Sequence, residues 1–356
     1  MRECDASDSG TRKPPRYLLV GLTNLCTTRC SFCYRRDLHL EPQYFPFDRY
    51  KTILDELGPH LDTLEFSGIG EPLLHERFKT FSSYARDRYP ASDLSLGLVS
   101  NGSLLTRDIS DFLVEQNFSY LWFSMNAATP ETHMKIMPGL DFDKIIRSIG
   151  ELIQIRNKFG TRLPAVRLSF LVTKENYFEA LDFIDLALQI GADMATIGSI
   201  DTVLNPRLRQ EQYVSEREFG PVLEEIEARA SEDKRISCVP RWVFWPEVYE
   251  QPGQENAVAI NCGNTGEVFG IYFSSGEVTF CCYMAAEIEN KAYCLGNICE
   301  SSGLEIWNGP RALAFVRSMR NLETTPSICK WCLNFWNKEW AQPCRYQSMN
   351  AYSRPT

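Results

Sequence analysis

The sequence predicts an α/β fold, a partial barrel of six parallel strand–helix units followed by a small cysteine-rich α+β domain. Three observations lead there. From Arg16 to about Ile200, short apolar runs alternate with longer amphipathic stretches. That alternation stops near residue 235. Eleven of the 13 cysteines fall into three groups, Cys4 and Cys238 stand alone, and none lies between Cys33 and Cys238.

The expected strands are Tyr17–Gly21, Thr63–Ser67, Leu94–Val99, Tyr120–Met125, Val166–Val172 and Met194–Ser199. Between them, apolar residues at three- and four-residue spacing predict helices over Phe47–Leu57, Glu76–Arg88, Arg107–Gln116, Phe142–Lys158 and Tyr177–Ile190. Ser100-Asn101-Gly102 and Gly191-Ala192-Asp193 punctuate the transitions. Strand alternating with helix implies right-handed crossovers and a parallel sheet, and six units are too few to close a barrel of eight. Active sites in such folds sit at the C-terminal strand ends. A helix over Ser215–Ala230 ends the unit, so that 1–15 is a polar tail, 16–235 the barrel and 236–260 a Pro- and Trp-rich linker. In the second domain, 261–350, Val268–Phe273 and Glu277–Cys281 flank Ser274-Ser275-Gly276 as a hairpin, and a helix follows over Gly303–Arg320. Residues 351–356 are a C-terminal tail. A domain this small gains from a metal staple.

Composition narrows the function. A net charge of −9 with no basic block disfavours nucleic-acid and anionic-membrane binding, which need Lys and Arg against phosphate. No stretch approaches the roughly 20 apolar residues that span a bilayer. The first 15 residues lack the apolar run of a signal peptide. The reading is a cytoplasmic protein, in which clustered cysteines bind metal or do chemistry more often than they form disulfides.

The first group, Cys26-Thr-Thr-Arg-Cys30-Ser-Phe-Cys33, follows the first strand directly. Three thiolates on one loop cap three irons of a four-iron cluster and leave the fourth open, whereas structural zinc sites close with four ligands. A zinc site with a distant fourth ligand is the competing reading. The spacing C-x3-C-x2-C, with aromatic Phe32 before the third cysteine, resembles the radical S-adenosylmethionine (SAM) enzymes, whose fold is a partial (β/α)6 TIM-like barrel. The resemblance covers residues 16–200 in order. Gly68-Ile69-Gly70-Glu71-Pro72 resembles the family's Gly-Gly-Glu motif, which implies that Gly70 and Glu71 hold the methionine amino group of SAM. Ser100 and Asn101 end the third strand. Ser124 and Asn126 end the fourth, where the family often has Ser-x-Asp; Asn at 126 departs from it. Arg147 matches a position that pairs with the SAM carboxylate, and Gly191–Ile200, with Ile197 at its centre, resembles the segment that packs on adenine.

In the second group, Cys262, Cys281, Cys329 and Cys332 have the spacing C-x18-C, a long gap, then C-x2-C. With the Gly276–Cys282 hairpin, Leu295-Gly296-Asn297-Ile298 and Ile306-Trp307-Asn308, they resemble the SPASM (or shorter twitch) extension of radical SAM enzymes. That resemblance implies auxiliary four-iron clusters, and four thiolates suffice for one; a Cys4 zinc ribbon is the competing reading. No cysteine lies in Leu333–Pro343, so one auxiliary cluster is expected. Cys282 can substitute for Cys281, since adjacent strand residues face opposite sides. Cys282, Cys294, Cys299 and Cys344 are candidate hydrogen-atom donors, or simply small buried apolar residues; Cys344 is also a candidate to complete or replace a ligand.

The resemblance implies reductive cleavage of SAM to methionine and a 5′-deoxyadenosyl radical, with an external electron donor such as flavodoxin or ferredoxin. One auxiliary cluster suits a net two-electron oxidation, so the leading expectation is dehydrogenation or epimerisation of a small sugar-like or aminocyclitol substrate. The first alternative is a peptide-modifying enzyme served by a separate leader-peptide-binding protein, because about 15 residues before the first strand leave no room for such a domain. Activation of a glycyl-radical enzyme fits the late C-x2-C poorly. A non-catalytic zinc or iron–sulfur protein has no use for Glu71, Ser124 and Arg147 at successive strand-end positions. His39, His60, His75 and His133 form no constellation, and no general base is assigned.

Overall fold

A computed structural model describes residues 12–200, 206–239, 244, 262–286, 292–319, 323–326 and 329. Two compact units emerge. One groups Met1–Cys26, Asp37–Leu98 and Gln254–Thr356; the other groups Thr27–Arg36 and Val99–Gly253.

In the first unit, β1 (Tyr17–Val20), α1 (Phe47–Leu57), β2 (Thr63–Phe66), α2 (Phe78–Arg88) and the start of β3 (Ser95–Ser100) alternate as expected. β1 pairs in parallel with β2, Leu19 opposite Glu65, and β2 pairs in parallel with β3. Tyr50 on α1 is fully buried, lies 4.8 Å from the Phe81 ring of α2 and donates its hydroxyl to the Phe81 carbonyl at 2.9 Å.

In the second unit come α3 (Arg107–Glu115), β4 (Tyr120–Ser124), α4 (Pro130–Ile136), α5 (Phe142–Lys158), β5 (Ala165–Val172), α6 (Ala180–Gln189), β6 (Met194–Ser199), α7 (Pro206–Gln212), α8 (Glu216–Glu232) and β7 (Ile236–Cys238). β4, β5, β6 and β7 pair in parallel in that order. Side-chain caps start the helices: Thr106 on α3, Thr129 on α4 and Asp141 on α5 accept N–H bonds from their first turns, and Ser215 with Glu218 makes a capping box on α8. Phe170 of β5 meets Phe183 of α6 at 5.0 Å, both without exposure. Each such ring contributes roughly 2–3 kcal/mol by leaving water.

The late part of the first unit holds α9 (Gly263–Glu267), β8 (Val268–Ile271), β9 (Glu277–Val278), α10 (Cys282–Ala286), β10 (Gly296–Asn297), α11 (Gly303–Trp307) and α12 (Pro310–Ser318). Here the structure corrects the sequence reading. β8 pairs in parallel with β1, Leu18 opposite Phe269, so it belongs to the barrel sheet; β9 pairs antiparallel with β10. The expected hairpin survives as one narrow pair, Gly270 with Thr279, bonded both ways at 3.0 and 2.9 Å. The segment read as a linker begins with β7, and the helix expected over Gly303–Arg320 breaks at Asn308-Gly309-Pro310, where proline opens a new helix. The expected tail is no tail at Arg12 and Pro15, which are buried. No helix among the described residues is long and apolar enough to cross a membrane.

Candidate active site

The cysteine loop is clamped at its entry. After β1, Gly21 donates its N–H to the Ile271 carbonyl at 2.6 Å, and Thr23 Oγ1 donates to the Gln43 carbonyl at 2.8 Å. Gly70 explains its own identity: a Cβ there would stand 2.1 Å from the Thr23 carbonyl oxygen and 2.5 Å from that of Leu25. The close approach lets the Glu71 N–H reach the Leu25 carbonyl at 2.8 Å, one residue before Cys26. Gly68, at φ +132, supplies a backbone state that side chains rarely adopt.

The residues between the cysteines hold the rest of the loop within the second unit. Thr27 Oγ1 bonds Ser103 Oγ at 2.8 Å and accepts from Asn101 Nδ2 at 2.9 Å. Thr28 Oγ1 donates to the Pro138 carbonyl at 3.0 Å. Ser31 sends its N–H to Ile136 at 2.9 Å and its hydroxyl to Glu175 Oε2 at 2.8 Å, while its carbonyl accepts from Arg36. Glu179, buried on the turn before α6, accepts from the N–H groups of Ala128 and Thr129 and from the hydroxyls of Thr129 and Thr132, and so fixes the start of α4. Sequence reasoning missed Glu175 and Glu179; both lie in the loop after β5, and a lone carboxylate in a loop carries no periodic signal.

Cys26, Cys30 and Cys33 are half-buried and form no disulfide, and Phe32 is half-buried beside Cys33. Among the described residues, no three Cys, His, Asp or Glu side chains gather at a point that would hold a metal ion. The loop is braced by the bonds of its intervening residues. The donor chemistry fits an iron–sulfur cluster nonetheless, with three thiols and no competing carboxylate on one fixed loop.

The other expected SAM contacts divide. Glu71 is 1% exposed, and its Oε1 caps the short turn Pro72–Leu74 by accepting the Leu73 N–H at 3.1 Å. Ser100 Oγ accepts the Gly102 N–H at 3.0 Å, and Asn101 Oδ1 accepts that of Ser103. Ser124 is half-buried at the end of β4. Asn126, at φ +58, accepts the Leu171 N–H at 2.9 Å and points its amide at Met137 Sδ, so its side chain serves the scaffold. Arg147 lies exposed on α5, apart from that helix's buried face. Ile197 is fully buried in β6. Beyond the ends of β5 and β6 a cavity of about 10 Å³, room for roughly one water, is lined by Val172, Ser199, Ile200, Gln212 and Phe219 among others.

Around the late cysteines, Cys262 precedes α9, and its carbonyl accepts both the N–H (3.0 Å) and the hydroxyl (2.7 Å) of Thr265. Burial pushes the Cys329 thiol up to about 12, and the nearby Cys262 thiol adds to the rise. The two are thus brought within electrostatic reach across a long stretch of chain. Cys281 is half-buried, whereas Cys282 is exposed at the start of α10. Cys294 is buried, with Sγ on the Gly296 carbonyl at 3.3 Å, and Cys299 is exposed. Cys332 and Cys344 lie outside the described residues.

A radical SAM family model matches residues 20–187, and a SPASM model, described as an iron–sulfur cluster-binding domain, matches 262–333. The chain belongs to the radical SAM superfamily. It is a radical SAM enzyme whose C-terminal SPASM domain carries auxiliary iron–sulfur binding, and its cofactors are SAM, the radical SAM [4Fe–4S] cluster and the auxiliary iron–sulfur component. A tungsten-containing aldehyde ferredoxin oxidoreductase cofactor-modifying protein of Pyrococcus furiosus is 27% identical over 305 residues, 83% of this chain and 82% of that one. Among solved structures, Streptococcus suis SuiB bound to its precursor peptide SuiA matches with a TM-score of 0.67 and 15% identity, over 90% of this chain and 70% of SuiB. Native anSMEcpe with bound AdoMet and Cp18Cys peptide matches at 0.63 and 18%, over 96% and 97%. These likenesses establish the fold, the parallel α/β partial barrel with its small C-terminal domain.

Proposed function

We propose that this radical SAM/SPASM enzyme modifies a peptide. Cys26, Cys30 and Cys33 hold the cluster that binds SAM; Phe32, Gly70, Glu71 and Ser124 line the SAM side; Cys262, Cys281, Cys329 and Cys332 hold the auxiliary cluster. When bound, the cluster and SAM supply one-electron chemistry that removes a hydrogen atom from an unactivated C–H bond. This chain's part is to fix the loop through Ser31, Thr27 and Thr28, and to keep Glu71 buried beside the loop entry. An external one-electron donor of the flavodoxin or ferredoxin type completes the cycle.

The observation that carries the peptide reading is that two structures of the same fold, each covering nine-tenths or more of this chain, are peptide complexes. The sugar-like or aminocyclitol reading has no comparable support among these likenesses. A small-molecule reading of another kind, modification of a cofactor, is favoured by the 27% identical relative.

The test is to incubate the reconstituted enzyme with SAM, dithionite and short peptides encoded beside its gene. The expected result is a mass change in one peptide together with peptide-dependent 5′-deoxyadenosine. Stimulation by the dialysable small-molecule fraction of a host extract, with no peptide modified, would overturn the peptide reading.

A further inference from the structure

Arg12 lies ahead of β1 yet is only 8% exposed. Its guanidinium stacks over the Trp307 ring, 3.8 Å from the centroid, and lies 5.1 Å from that of Phe280. One nitrogen donates to the Trp307 carbonyl at 2.9 Å and another to the Thr265 carbonyl. The Arg12 N–H donates to Asn308 Oδ1 at 2.8 Å, and Trp307 Nε1 donates back to the Lys13 carbonyl at 2.7 Å. A buried cation is costly unless hydrogen-bonded and paired; here two carbonyls and two ring faces compensate it. Only a planar fork reaches two carbonyls while stacking on an indole, which lysine cannot do.

The neighbours of this cation matter more than its strength. Thr265 bonds the Cys262 carbonyl twice, and Phe280 immediately precedes Cys281. Arg12 therefore connects the turn anchored on Cys262 to the ring of Phe280, the residue before Cys281. We infer that Arg12 is a positioning residue of the auxiliary iron–sulfur site, fixing the separation of the two segments that carry its first two ligands. The inference rests on the assignment of Cys262 and Cys281 as ligands and is independent of the substrate.

The test uses a Cys26→Ala, Cys30→Ala, Cys33→Ala background, in which bound iron reports the auxiliary site alone. Arg12, Arg12→Lys and Arg12→Ala are compared at a temperature where circular dichroism shows each folded. The readouts are the rate of iron loss to a ferrous chelator and the electron paramagnetic resonance spectrum of the reduced cluster. Removing the partner of a metal site commonly weakens it 10–100-fold, so iron loss should be at least about tenfold faster in Arg12→Ala, with a changed spectrum and Arg12→Lys between. If Arg12→Ala does not fold, the Arg12→Lys comparison decides. Unchanged iron loss and an unchanged spectrum, with only a lower melting temperature, would reduce Arg12 to a clamp of the fold and overturn the inference. Full iron retention in a Cys262→Ala control would overturn it through its premise, and would be recognised separately.

Discussion

His133 shows how much a single side chain can carry. It has no exposure, both ring nitrogens lack a hydrogen-bond partner among the described residues, and its ring lies 5.3 Å from Phe142. Burial holds its pKa below the ordinary 6.5, so the folded chain keeps it neutral. His75 has the same sign: burial is the main cause, and its Nδ1 accepts the Arg77 N–H at 3.1 Å, a bond that protonation would break. Below pH about 6.5 the unfolded chain takes up protons that the folded chain refuses, so stability is complete above that pH and declines as pH falls beneath it. The slope is at most about 1.4 kcal/mol per pH unit for each histidine. Replacing His133 with Leu should flatten part of that decline, as read from denaturant midpoints between about pH 7.5 and 5.5. A parallel pH profile in His133→Leu would show that the buried ring is not titrating.

At the scale of elements, α4 is the brace that the sequence left unannounced. It spans only seven residues and opens on a proline, so no periodicity marks it. Yet the carbonyls of Ile136 and Pro138, at and just beyond its end, take hydrogen bonds from Ser31 and Thr28. Glu179 fixes its start with four accepted bonds. Glu179→Ala would orphan those donors and should cost about 3 kcal/mol or more, with Glu179→Gln milder. Through α4 the loss should reach the cysteine loop, lowering iron bound at the first site along with the denaturant midpoint. Full iron with a lowered midpoint would separate the brace from the loop. The same contrast explains what was legible. The six expected strands and the long helices carried their period in the chain, and the structure follows them closely. β7 did not, because three residues hold no period; β8 was expected as a strand, but its partner, β1, lies some 250 residues upstream, where no local pattern points. The motif glycines were readable because Gly70 has no room for a side chain. Chain position does not reveal what a side chain is already bonded to, as Asn126 shows with its bonds to the Leu171 N–H and Met137 Sδ.

At the scale of the whole molecule, two cysteine centres sit in one acidic chain of net charge −9, and their independence is the property to establish. The loop of the first is held by Thr27, Thr28 and Ser31, and the Cys262 turn of the proposed second site is held by Thr265 and Arg12. Separate supports imply separate loading. Anaerobic reconstitution should give about eight irons per chain if each centre is a four-iron cluster. The Cys26→Ala, Cys30→Ala, Cys33→Ala variant should hold about four and form no 5′-deoxyadenosine, while Cys262→Ala with Cys329→Ala should lose its complement and still cleave SAM. The second half of that expectation follows from the loop's own supports, since Thr27, Thr28 and Ser31 bond to Ser103, Pro138 and Glu175 of the second unit. Loss of SAM cleavage in both variants would mean that the centres load as one. Zinc in place of iron would remove the radical chemistry altogether, since a d¹⁰ ion has no electron to give.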